Sequence, residues 1–267
     1  MTRTPPWDSP RFALFLRLAP VAVCTVVLVE ILLTGRQPGV APGFPLDDSW
    51  IHMVYGRSLA TEGLLAYNPG VAATGSTAPL WAVFVGLVHL LFQGISVEAV
   101  VHAVMAIGGF LHLVAVWYAA DLAGRLADDP KIGALAGLLI ALSPPLAAAA
   151  LSGMEVSLTG LLLVLGIRAV TLKTWYRAGL FLALACTARP EAAAVGLLAV
   201  AWAGFDAARS KDRLDIRAWA TLVLPAAFLA FAWVSFNLDA TGRPLPATFY
   251  FKQDGSLVDL PARLWTG

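Results

Sequence analysis

The residues best suited to chemistry begin with an adjacent carboxylate pair, Asp47-Asp48, which precedes Ser49-Trp50-Ile51-His52-Met53-Val54-Tyr55. Two carboxylates at the start of a short helix can take a proton from a hydroxyl or hold a divalent cation. Asp48 can equally serve as a helix cap with Asp47 as its solvated neighbour. A third carboxylate, Glu155, follows Ser152-Gly153-Met154 at a junction between two apolar runs. It is either a second site carboxylate or a helix N-terminal charge favoured by the dipole. Arg189-Pro190-Glu191 interrupts another apolar run. Arg189 can pair with Glu191 or bind an anionic phosphate. Lys252 closes the segment Pro246-Ala247-Thr248-Phe249-Tyr250-Phe251. It is either one more cation for a phosphate or a snorkelling residue in an interfacial aromatic belt. The four histidines, His52, His89, His102 and His112, lack metal-ligand spacing and read as packed or interfacial. No G-x-S-x-G, H-E-x-x-H, phosphate-loop, dinucleotide-binding or paired C-x-x-C pattern is present, and no internal repeat.

The elements that must carry these residues are apolar helices. Of 267 residues, 59% are hydrophobic and 13% charged; soluble domains hold about 25% charged residues. A net charge of +1 gives no basic face for nucleic acid. Cys24 and Cys186 lie inside apolar runs and read as small hydrophobic side chains. A spanning helix needs about 20 apolar residues. Apolar stretches run over 13–34, 79–92, 97–123, 132–150, 154–171, 178–205 and 218–236. The first is too long for a secretory signal and no small-residue cleavage site follows, so it reads as an anchor.

Lysine and arginine collect on the cytoplasmic side of membrane proteins. Suppose 79–92 is re-entrant or lies on the surface, and Arg189-Pro190-Glu191 is a turn between two short spans. The chain then crosses seven times from a cytoplasmic N-terminus, with twelve Lys/Arg inside and six outside. A crossing at 79–92 with one helix through 178–205 gives seven inside and ten outside. It also strands Arg189 in the bilayer, at about 2.5–3.5 kcal/mol or more. The expectation is an all-α polytopic membrane protein of about seven transmembrane helices plus external juxtamembrane helices. The loop 35–78, the 151–155 connection, the 189–191 turn and the tail 237–267 then share the external face. Asp48 would cap a short surface helix whose apolar stripe is Ile51, Val54, Tyr55 and Leu59. Leu65 to Gly70 reads as a turn.

Taken in order, the motifs have a counterpart. Asp47-Asp48-Ser49-Trp50-Ile51, then Tyr67-Asn68-Pro69-Gly70, Gly75-Ser76-Thr77 and Pro79-Leu80-Trp81 resemble the first external loop of GT-C-type glycosyltransferases. Ser152 to Glu155, Arg189 to Glu191 and Pro246 to Lys252 resemble later signatures of arabinofuranosyl- and mannosyltransferase-like members, in the same order. The resemblance covers about 45–260 of a single module, residues 1–267. It implies a multi-pass enzyme of the plasma or inner membrane with its active site on the external face. Such an enzyme moves a sugar from a polyprenyl-phosphate donor to a hydroxyl of a glycan, lipid or protein, with inversion. It assigns the base to Asp47 or Asp48. It gives Arg189 and Lys252 as donor-phosphate ligands, and Glu155 with Asp48 as ligands of a magnesium or manganese ion in metal-dependent members. Relatives continue with further C-terminal helices. The competing reading is a non-enzymatic transporter, flippase-like protein or accessory subunit.

Overall fold

A computed structural model describes residues 10–34, 43–210 and 216–254. Helix α1 (Pro10–Thr34) is followed by α2 (Asp47–Glu62), a hairpin of β1 (Ala66–Asn68) and β2 (Val71–Ala72), and α3 (Pro79–Leu91). Then come α4 (Val97–Ala127), α5 (Pro130–Ala141), α6 (Pro144–Ala150), α7 (Val156–Thr171) and α8 (Trp175–Ala188). A 3-10 turn, Pro190–Ala192, leads into α9 (Ala193–Ser210), α10 (Ile216–Thr241) and α11 (Ala247–Asp254). The all-α expectation holds except for the hairpin, which lies where Leu65 to Gly70 was expected to be a turn: Ala66–Asn68 is a strand, and Pro69-Gly70, with Gly70 at φ 73°, is the turn itself.

Three described helices, Arg11–Thr34, Val97–Ala127 and Ala218–Thr241, are long and apolar enough to cross a bilayer. The pair α5 and α6 makes a fourth if taken as one span bent by 67°. The seven expected spans are therefore not matched by seven helices of crossing length. The reason is local. Two prolines after Ser143 cut the 132–150 run, because the first of them starts a new helix and lacks the donor that would continue the old one. Lys173, in a left-handed conformation at φ 54°, ends the α7 segment. Pro190 ends α8, leaving α7 and α8 at 16 and 14 residues. Helix α3, at 13 residues, is about 20 Å long and falls short of a hydrocarbon core of about 30 Å.

The 189–192 break is a reversal, as the charge argument required. Gly179 of α8 lies against the Leu222 carbonyl, and Gly204 of α9 lies 3.4 Å (from an added Cβ) from the Trp219 ring. Leu222 and Trp219 are neighbours on α10, so α9 must double back along α8. Small residues let these helices approach closely, as they do in membrane bundles. Gly108 of α4 meets the Ala150 carbonyl, and Gly133 of α5 meets that of Ala120. Large apolar side chains face outward instead, among them Phe15, Val26, Leu197, Trp202, Phe228 and Phe231. An exposed apolar surface of this extent suits contact with lipid.

Polar residues gather at the two ends of the bundle. Glu155 stands at the N-terminus of α7 and Arg168 in its last turn. Thirteen residues of helix place them about 20 Å apart.

Candidate functional site

The site is built on the junction between α6 and α7. Ser152 Oγ donates to the Ala149 carbonyl at 2.8 Å and accepts from Met154 N at 3.3 Å, which shapes the turn. Gly153 adopts φ 81°, and the Phe44 ring occupies the space a side chain would need. Backbone carbonyls freed at a helix junction require partners when buried. Here two distant helices supply them. Ser49 Oγ of α2 donates to the Ser152 carbonyl at 2.7 Å, and Trp81 Nε1 of α3 donates to the Gly153 carbonyl at 2.8 Å. The first turn of α2, with Asp47 and Asp48 exposed, is thus tied to the Ser152–Glu155 junction.

Glu155 is the centre of the charge arrangement. It is 4% exposed. Its Oε2 lies 3.2 Å from His52 Nε2 and its Oε1 lies 3.4 Å from Arg189 Nη1. Arg189 Nε also lies 3.6 Å from Glu191 Oε2. Burial pushes the Glu155 carboxyl up, but His52, its own backbone N–H and Arg189 together hold it below its ordinary value of 4.5. The His52 contact has the distance of an ion pair without the alignment of a strong hydrogen bond, since Oε2 accepts none. His52 Nδ1 is buried without a partner. A buried polar atom left unmatched is uncommon and marks a place where a ligand or water can bind. Arg189 is the link to solvent, with 41% of its side chain exposed.

Further contacts bring the later segments to the same end. Thr74 Oγ1, 1% exposed, accepts from Ala247 N at 3.0 Å and so seats the start of α11. The Tyr55 hydroxyl lies against Gly75, and burial pushes its pKa up. Arg243 lies 4.8 Å over the Tyr250 ring, within cation–π range. Lys252 is in α11, but its side chain is outside the described residues.

The structure brings Glu155 and Arg189 into contact, and Ser49 ties the helix turn that carries Asp47 and Asp48 to the same junction. Arg189 makes the expected pairing with Glu191 and, in addition, one with Glu155. The expected cap is corrected: Leu46 holds the N-cap position of α2 without a side-chain bond, and both aspartates sit in the first turn. The expected stripe is corrected too. The buried face of α2 is Ser49, His52, Met53, Tyr55, Gly56 and Ser58, and Ile51, Val54 and Leu59 are only half-buried. The face mixes apolar Met53 and Gly56, packed towards α3, with polar Ser49 and His52, which reach the Ser152–Glu155 junction. His52, read as packed or interfacial, is the residue that sequence reasoning missed. Its spacing of three residues from Ser49 and four from Gly56, which puts all three on one helix face, was the available signal.

Among the described residues no group of three or more His, Cys, Asp or Glu is placed to hold a metal ion. Of the pair expected as metal ligands, Glu155 faces Arg189 and His52, and Asp48 is exposed on the first turn of α2. Comparison with family models, with curated proteins and with solved structures finds no match to this chain.

Proposed function

We propose that this protein is a membrane glycosyltransferase that moves a sugar from a polyprenyl-phosphate donor to an acceptor hydroxyl at the end of the bundle bearing α2. The observation that carries the reading is the meeting of an exposed acidic helix turn with a buried Glu155 that holds a half-exposed arginine. A base and a phosphate-binding cation are then positioned on one surface next to lipid.

In this reading Asp47 or Asp48 takes the proton of the acceptor hydroxyl. The acceptor oxygen attacks the anomeric carbon as the bond to the polyprenyl phosphate breaks on the opposite side, which inverts the centre. Arg189 and Lys252 stabilise the departing phosphate. Electrostatic stabilisation of the leaving group and orientation of the two substrates are the main contributions available to such a site. Glu155 positions Arg189 and does not touch the reacting atoms. No step requires a metal ion. In this reading that end faces outward and the N-terminus lies in the cytoplasm, the orientation that the Lys/Arg distribution of the sequence favours.

The test is incubation of purified membranes with a panel of radiolabelled polyprenyl-phosphate sugars. Wild type is expected to transfer at least one sugar, and Asp47→Asn or Asp48→Asn to lower the rate by about 10²–10⁴-fold, the usual worth of a general base. Full activity in the double substitution would remove the assignment.

A further inference from the structure

The opposite end of the bundle carries a second charged cluster that the proposed reaction does not use. Asp121 of α4 is 3% exposed. Arg125 Nε and Arg168 Nε lie 2.8 and 2.7 Å from its Oδ2, and both are hydrogen-bonded to it. Arg17 Nη2 of α1 lies 2.8 Å from Oδ1, yet Oδ1 accepts no aligned hydrogen bond. Arg17 therefore meets Asp121 as a charge, not as an oriented donor.

Three guanidinium groups share the one carboxylate of Asp121, which can neutralise only one of them. A device that only joined α1, α4 and α7 would need one arginine to neutralise Asp121, and more would repel one another. The surplus calls for an anion. Each guanidinium has five donors in a planar fork. The bonds to Asp121 engage the Nε atoms of Arg125 and Arg168, so their terminal nitrogens extend beyond the carboxylate. The side chains of Arg17 and Arg125 are 37% and 46% exposed, which opens the cluster outward. Arg168 is fixed from behind, its guanidinium 5.7 Å over the Tyr118 ring.

Position narrows the ligand. Arg17 is in the second turn of α1, and Arg125 and Arg168 stand in the last turns of α4 and α7. Helix ends lie at headgroup depth in a bilayer. Leu14, Phe15 and Leu18 flank Arg17 as exposed apolar side chains. We infer that Arg17, Arg125 and Arg168, preset by buried Asp121, form a binding site for a phosphate anion, carried by a lipid headgroup or free in solution. Arginine forks match phosphate oxygens in pairs. The inference is independent of the transferase reading, because it concerns the other end of the molecule.

The test uses the full chain in detergent micelles with two acyl-labelled fluorescent probes, phosphatidylglycerol and phosphatidylcholine, and inorganic phosphate as competitor. Phosphatidylglycerol is expected to bind at least about fivefold more tightly than phosphatidylcholine, and Arg17→Gln and Arg125→Gln each to lose about fivefold for the anionic probe alone. Arg17→Gln leaves both hydrogen bonds to Asp121 in place, and monodisperse elution on gel filtration confirms folding. Should one variant fail that control, the other decides. Displacement by inorganic phosphate at millimolar concentration assigns the site to soluble phosphate; resistance to it assigns the site to a lipid headgroup. Equal binding of the two probes, or an unchanged preference in the folded variant, overturns the inference.

Discussion

The contact between His52 and Glu155 is the structural centre of the candidate site, and its energy can be measured by a double-mutant cycle. The perturbations are His52→Ala, Glu155→Gln and the pair together, so that the cavity left by the imidazole cancels. A hydrogen bond to a charged group contributes about 1.5–3 kcal/mol. The 3.2 Å contact is a close approach to a buried carboxylate without an aligned hydrogen bond, so only the lower end of that range applies. Arg189 remains beside Glu155 in the His52 variant and relieves part of the penalty on the buried carboxylate. The expected coupling is about 2 kcal/mol, or about 4–8 °C in melting temperature for a chain of this size. The same cycle on Arg189 and Glu155 is expected to give less than about 1 kcal/mol, because solvent screens a half-exposed partner. The pH dependence has a definite sign. With its folded pKa below 4.5, Glu155 adds stability above that pH, and this is lost as pH falls through the folded value. His52→Ala removes a major partner while burial remains, so the acid loss moves to higher pH. The assay is thermal melting of purified protein in detergent across pH 3–7. Coupling below about 0.5 kcal/mol for His52, or a larger value for Arg189, refutes the reasoning.

Other outcomes follow from packing. Gly56→Ala puts a Cβ 2.5 Å from Val85 Cγ1 and 2.9 Å from the Gly86 nitrogen. It is expected to push α2 off α3 and cost about 1–3 kcal/mol, read as a lowered melting temperature. Trp81→Phe keeps the buried ring but loses the bond to the Gly153 carbonyl. A loss of about 1–3 kcal/mol is expected for a buried acceptor left unmatched, together with faster proteolysis at the 152–155 junction.

The long apolar helices α1, α4 and α10 were legible because composition alone decides a segment of more than 20 apolar residues. The reversal at Arg189-Pro190 was legible from proline and the cost of a stranded arginine. The α5–α6 break was missed although Pro144-Pro145 stood in the run, because apolar content masked the missing donor. The face of α2 was misread for a different reason. Helical periodicity identifies two opposite stripes, and hydrophobicity selects the buried one only when the partner is apolar. Here the polar Ser152–Glu155 turn is a partner beside α3, so Ser49 and His52 point inward together with Met53 and Gly56. Asp121 escaped notice because its three arginine partners, Arg17, Arg125 and Arg168, entered only within the count of lysines and arginines on each side. Their convergence from three helices is a tertiary fact that spacing does not encode.

Every role assigned to the candidate site requires α2, the Glu155 junction and Arg189 to face one compartment, away from the cytoplasm. With Cys24 and Cys186 replaced by alanine, single cysteines at exposed Leu46, Glu191 and Tyr176 can be probed in intact cells with a membrane-impermeant thiol reagent. Leu46→Cys and Glu191→Cys are expected to label without permeabilisation, and Tyr176→Cys, at the other end of α8, only after it. Labelling that separates Leu46→Cys from Glu191→Cys would contradict the account.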